Sequence, residues 1–148
     1  AEDAELLPIG KARIARAGRD VTVIAYSAMV RDALEAAEVL ARAGVSAEVI
    51  DLRTLVPLDM AAIAASVAKT HRVLIAHEAV RNGGVGAEIA ARIGTELFDE
   101  LDAPVVRVGC PFAPIPFAPA LERALLPGSR DIVRAARQLL GLEAHAQE

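Results

Sequence analysis

The placement of apolar residues along this chain leaves few folds open to it. Short uninterrupted runs of β-branched and aliphatic residues, at 21–26, 47–51, 72–77 and 105–108, alternate with longer segments whose apolar residues recur every three or four positions. A run that is apolar on both sides of the pleat predicts a strand covered on both faces, and strands separated by helices predict parallel pairing. After the first run, Val30, Ala33, Leu34, Ala37, Leu40 and Ala41 share one helical face, and Gly44 supplies a stop. Past the break at Pro57, Asp59 is placed to cap a helix whose inward stripe is Met60, Ile63, Ala64 and Val67. A helix over 86–97 buries Ile89, Ala90, Ile93 and Leu97. After a proline-rich connection at 109–119 come a short helix over 120–126 and a last helix, capped by Ser129, with Ile132, Val133, Ala136, Leu139 and Leu140 inward.

Residues 11–17 add an edge strand ahead of the first run, joined to it through Gly18. That connection is too short for a crossover, so the added strand is expected to run antiparallel. The fold class is therefore α/β, a three-layer α/β/α sandwich on a mostly parallel sheet of about five strands. Residues 1–10 read as a linker-like segment, 11–141 as one domain, and 142–148 as a disordered tail.

The bulk properties narrow the function classes. A chain of 148 residues is one ordinary domain, large enough to bury a core without staples. A formal charge of −4 gives no electrostatic footprint for nucleic acid or an anionic membrane. The single cysteine, Cys110, excludes an internal disulfide, and no run of 18 apolar residues offers a membrane-spanning helix. The opening Ala-Glu-Asp-Ala-Glu has neither an initiator methionine nor a secretory pattern, so a fragment of an intracellular protein is expected, cytoplasmic or, in a eukaryote, of the mitochondrial matrix.

Chemistry is sought at the carboxyl end of the sheet, where α/β folds keep their binding crevices. Ser27, Asp51, Arg53, His77, Glu78 and Cys110 fall there. His77 and Glu78 together suggest acid–base work, but neighbours on a strand face opposite sides, which favours a structural histidine. Gly83, Gly84 and Gly86 with Glu88 open a helix and resemble an anion cradle. They match neither a dinucleotide nor a P-loop fingerprint, and Glu88 itself answers the helix dipole, so tight helix–sheet packing is favoured. Cys110 has no evident base, and His71, His77 and His145 lack ligand spacing. No catalytic, cofactor or metal residue is therefore assigned. Asp99, Glu100 and Asp102 form an acidic cluster, either a solvated surface or a dock for a basic partner. Phe112, Pro114, Pro116 and Phe117 lie in a stiff apolar loop, suited to covering the sheet end or to packing against another surface.

An ordered series of short segments carries a family resemblance. Leu7-Pro-Ile-Gly-Lys-Ala12, Asp20-Val-Thr-Val-Ile24, Val49-Ile-Asp-Leu-Arg-Thr54 with Pro57-Leu-Asp59, His77-Glu-Ala79, Gly84-Val-Gly-Ala-Glu-Ile-Ala90, Leu101-Asp-Ala-Pro-Val105 and Pro114-Ile-Pro116 resemble the C-terminal domain of 2-oxo acid dehydrogenase β subunits, of the pyruvate, branched-chain and acetoin type. Over residues 7–140 the resemblance implies part of an enzyme that uses thiamin diphosphate and magnesium to decarboxylate a 2-oxo acid and passes the acyl group to a lipoyl carrier. It implies that other domains hold the coenzyme. This one serves contacts with the α subunit and a second β subunit and docks the subunit-binding domain of the lipoyl acyltransferase. On that reading the isolated chain is inactive. Gly83, Gly84, Gly86, Glu88, Phe112, Pro114, Pro116 and Phe117 are expected at the subunit interface, and Asp99, Glu100 and Asp102 at the docking site. Two departures stand out. Phe112 replaces the acid of the family's Gly-x-Asp-x-Pro-x-Pro loop, and the chain continues from Gly141 to Glu148 beyond the usual end. The competing readings are the C-terminal domain of transketolase or deoxyxylulose-phosphate synthase, and a free-standing small-ligand or nucleotide-binding module.

Overall fold

The computed structural model describes residues 7–142. The expected tail beyond Leu142 and the first six residues of the linker-like segment lie outside them. Five strands, β1 (Arg13–Arg16), β2 (Val21–Ala25), β3 (Ala47–Asp51), β4 (Val73–Val80) and β5 (Val106–Cys110), form one sheet in the order β1-β3-β2-β4-β5. Helices α1 (Met29–Arg42) and α5 (Ser129–Leu139) pack on one face, and α2 (Met60–Thr70) and α3 (Val85–Glu96) on the other. The short α4 (Pro119–Leu125) joins β5 to α5.

The alternation of the strands divides the core in two. Val21, Val23, Val49, Leu74 and Ala76 point toward α1 and α5, where they meet Ala33, Ala37, Leu40 and Ile132. Ile24, Ile50, Val73 and Ile75 point the other way, onto Ile63, Val67, Ile89 and Ile93. Both faces of β2 are fully covered, as its unbroken apolar run requires. Burying each large aliphatic side chain contributes about 1.5–3 kcal/mol, so the central strands anchor the fold. Among the predicted inward residues, Ala41 is exposed instead, because α1 turns that position away from the sheet.

Strands β2 to β5 are parallel and the edge strand β1 is antiparallel, as the sequence implies. The edge strand pairs with β3, however, and not with the strand that follows it. β2 already has β3 and β4 as neighbours, so no free edge remains beside it. Gly18 makes the return possible: a Cβ there would lie 2.1 Å from the Glu48 backbone nitrogen. Asp59 caps α2 by accepting from the Ala62 N–H at 3.1 Å, and its other oxygen accepts from the Ala12 N–H at 3.0 Å. The last helix corrects a detail. Gly128 is its N-cap, Ser129 is its first residue, and Asp131 accepts from the Gly128 N–H at 3.0 Å.

A buried polar network ties α2 to the sheet. The Thr22 hydroxyl lies 2.6 Å from that of Ser66 and 2.7 Å from that of Thr70. Ser66 donates to Glu48 Oε1 at 2.5 Å, and Lys69 pairs with Glu48 Oε2. Glu48 is almost fully buried, which alone would raise its pKa. Hydrogen bonds from Lys69, Ser66 and the Gly18 N–H outweigh burial and hold the carboxyl below its ordinary value.

Candidate assembly surface

β4 and β5 are neighbours, and their pairing brings the glycine turn and the proline loop together at the carboxyl end of the sheet. β4 runs on through Glu78 to Val80, so His77 and Glu78 lie inside the strand and not at its tip. The extension follows from a second pairing, Val80 with Cys110, after a register shift. The Arg81 N–H then donates to the Cys110 carbonyl at 3.0 Å and the Cys110 thiol donates to the Glu78 carbonyl at 2.9 Å, fixing the roots of both loops.

His77 is the centre of this corner. It is fully buried, and neither ring nitrogen has a hydrogen-bond partner among the described residues. Its ring stacks near Tyr26, centroids 6.2 Å apart, and the start of α3 closes over it. A Cβ on Gly86 would fall 2.5 Å from His77 Nε2, and one on Gly84 would fall 2.9 Å from Cε1. The glycines therefore act as packing surface for an imidazole and leave no space between ring and helix for a ligand. Burial, with the nearby Arg107 charge, lowers the His77 pKa and keeps the ring neutral. Glu78 makes no contact with the ring that would orient it as a base. Burial, aided by the Glu78 charge, raises the pKa of Cys110 and keeps its thiol un-ionised at neutral pH.

The sequence-selected interface residues separate into two kinds. Gly86 is buried and Gly84 half-buried, so both support the turn from beneath. Gly83, Glu88 and Pro114 are exposed, and Pro116 is partly so. Phe112 and Phe117 project outward with 76% and 102% of their surface accessible, and Ile115 between them with 54%. Water-facing aromatics on a stiff loop form an apolar surface that the domain itself does not cover.

The acidic trio lies at the other end of the strands. Phe98–Glu100 form a single 3-10 turn after α3, and the Asp102 N–H donates to the His71 carbonyl just ahead of β4. Asp102 pairs with Arg72 at 3.2 Å, and His71 Nδ1 donates to the Glu100 carbonyl at 2.8 Å. Sequence reasoning did not anticipate these internal partners. Nor did it anticipate the Thr22–Glu48–Ser66–Thr70 network, although Ser66 and Thr70 continue the inward spacing of Ile63 and Val67. Among the described residues no three His, Cys, Asp or Glu side chains converge to hold a metal ion, and no helix is long and apolar enough to cross a membrane. The described residues thus offer no carboxylate cluster for a magnesium ion.

Comparison with known proteins gives this geometry a context. The chain is 52% identical over 132 residues to the mitochondrial pyruvate dehydrogenase E1 component subunit beta-2 of Oryza sativa, covering 89% of this chain and 35% of that protein. It is 45% identical over 140 residues to the beta subunit of acetoin:2,6-dichlorophenolindophenol oxidoreductase of Bacillus subtilis, covering 95% of this chain and 41% of that protein. The chain thus spans less than half the length of these relatives and matches their C-terminal part. A solved split gene transketolase, described as an inactive beta4 tetramer, superposes with a TM-score of 0.77 at 31% identity, over 93% of this chain and 45% of that one. Residues 10–132 match the family model described as transketolase, C-terminal domain, and the chain belongs to that family.

Proposed function

We propose that this chain is the C-terminal domain of the β subunit of a thiamin-diphosphate-dependent 2-oxo acid dehydrogenase, that it serves assembly, and that it is inactive alone. The observation that carries the reading is 52% identity to a pyruvate dehydrogenase E1 beta subunit, confined to about a third of that subunit's length. Thiamin diphosphate and magnesium are then held by the remaining domains of the parent enzyme, which supply the decarboxylation chemistry. The glycine turn and the Phe112–Phe117 loop meet the α subunit or a second β subunit, with Gly83, Glu88, Pro114 and Pro116 beside the two aromatics. Asp99 and Glu100, with Asp102 where Arg72 releases it, meet the basic subunit-binding domain of the lipoyl acyltransferase. The relatives' mitochondrial names support a matrix location for a eukaryotic source.

The transketolase and deoxyxylulose-phosphate synthase readings draw less support, because the dehydrogenase subunits share more identity than the split gene transketolase does. Calorimetric titration of the chain with thiamin diphosphate and magnesium, and separately with ATP and NAD, distinguishes assembly from the ligand-binding alternative. No saturable heat is expected; micromolar binding of any of these would favour a free-standing module.

A further inference from the structure

A cavity of about 420 Å³ lies between β5, the root of the proline loop at Gly109 and Pro111, the α4–α5 connection and the inner side of α5. Arg81, Arg107 and Arg134 line it, together with Asp131. Asp131 is already engaged, by Arg134 at 2.6 Å and by the Gly128 N–H at 3.0 Å. Among the described residues Arg81 and Arg107 have no carboxylate at ion-pair distance, in a chain whose net charge is −4. Arg107 is oriented by donating to the Arg81 backbone carbonyl at 2.6 Å, and the exposed Arg81 side chain lines the same cavity. β5 is an edge strand, and Val106 to Gly109 make no backbone pairing on the side away from β4. Leu125, Leu126 and Pro127 supply an apolar wall opposite.

From these features we propose that the cavity binds a small organic anion, its carboxylate or phosphate group held by Arg81 and Arg107 and its short apolar part against Leu125 and Pro127. A guanidinium matches both anions through two parallel N–H donors, and Arg81 and Arg107 both line a cavity whose size admits only a small molecule. The apolar wall favours a short-chain carboxylate over bare phosphate. The site has an internal reporter, since Arg107 is one of the groups that lowers the His77 pKa. An anion seated on Arg107 weakens that influence and moves the imidazole titration upward.

The test titrates the chain with butanoate and, separately, with inorganic phosphate, following backbone amide and histidine ring NMR signals. Saturable shifts at Val106 to Gly109 are expected for butanoate with a dissociation constant on the order of 1 mM. The His77 titration should move to higher pH as the site fills. Arg81→Gln should weaken binding at least tenfold while Arg137→Gln, outside the cavity, leaves it unchanged. Tighter binding of phosphate than of butanoate, with the same sensitivity to Arg81→Gln, would support the site and identify the phosphate group as its ligand chemistry. No saturable shift with either anion, or equal binding by the wild type and Arg81→Gln, would overturn the proposal. Arg81 is exposed, so its substitution leaves the fold intact and the comparison readable.

Discussion

Gly86 sits so close beneath His77 that a methyl group on it would lie 2.5 Å from the ring nitrogen. Two effects oppose each other at this helical position. Alanine is the better helix former by about 1 kcal/mol, but forcing a carbon into a packed site costs about 1–3 kcal/mol. Packing wins here, and Gly86→Ala should destabilise the domain in urea unfolding. Gly94, in the same helix, has nothing within 4 Å of the added carbon. Gly94→Ala should leave stability unchanged or raise it by up to about 1 kcal/mol, and equal losses at the two positions would refute this account of the turn.

The same imidazole sets a pH dependence. Its pKa is lowered by burial and by Arg107, so the native state takes up a proton less readily than the unfolded chain, whose histidine titrates near 6.5. The unfolded state binds more protons between the native value and about 6.5, so stability rises with pH across that window. The contribution is fully present above about 6.5 and is lost as pH falls through the native value. Urea midpoints at pH 7.5 and 5.5 should fall more for the wild type than for His77→Gln, which has no ring to titrate. Parallel declines would exclude His77 as the cause.

How far the sequence revealed this molecule depended on whether the signal was local. Periodicity located the inward stripes of α2 and α3, because Ile63 with Val67 and Ile89 with Ile93 report burial through spacing alone. It identified the antiparallel edge strand but not its neighbour, since pairing Ile14 with Ile50 depends on which strand edge is free. The end of β4 was misplaced for a related reason, as Val80 is strand only through its partner Cys110. Exposure of Phe112 and Phe117 was open in the sequence, because a proline-stiffened loop serves equally to cover its own sheet or another surface. Ser66 and Thr70 went unnoticed because small hydroxyl side chains look alike on buried and solvated helix faces. Arg81 and Arg107 lie 26 positions apart in sequence and come together only through the pairing of β4 with β5.

Glu48 tests the buried network from the acid side. Burial opposes its ionisation, but the hydrogen bonds from Lys69, Ser66 and Gly18 prevail and lower its pKa. Its contribution is therefore present above the unfolded value near 4.5 and is lost as pH falls through the lower native value. Glu48→Gln should cost about 1–3 kcal/mol at pH 7, with the loss shrinking toward pH 3. A penalty that did not change with pH would point to shape alone.

The apolar loop separates assembly from folding. Phe112 and Phe117 bury little surface within the domain, so changing both to serine should move its urea midpoint by no more than about 0.5 kcal/mol. The decisive measurement is light scattering of a full-length β subunit containing this domain, mixed with its α subunit, with and without the paired Phe112→Ser and Phe117→Ser changes. The proposed role requires the wild-type pair to form a heterotetramer and the variant to remain as smaller species; a variant that assembles with unchanged mass and affinity would contradict it.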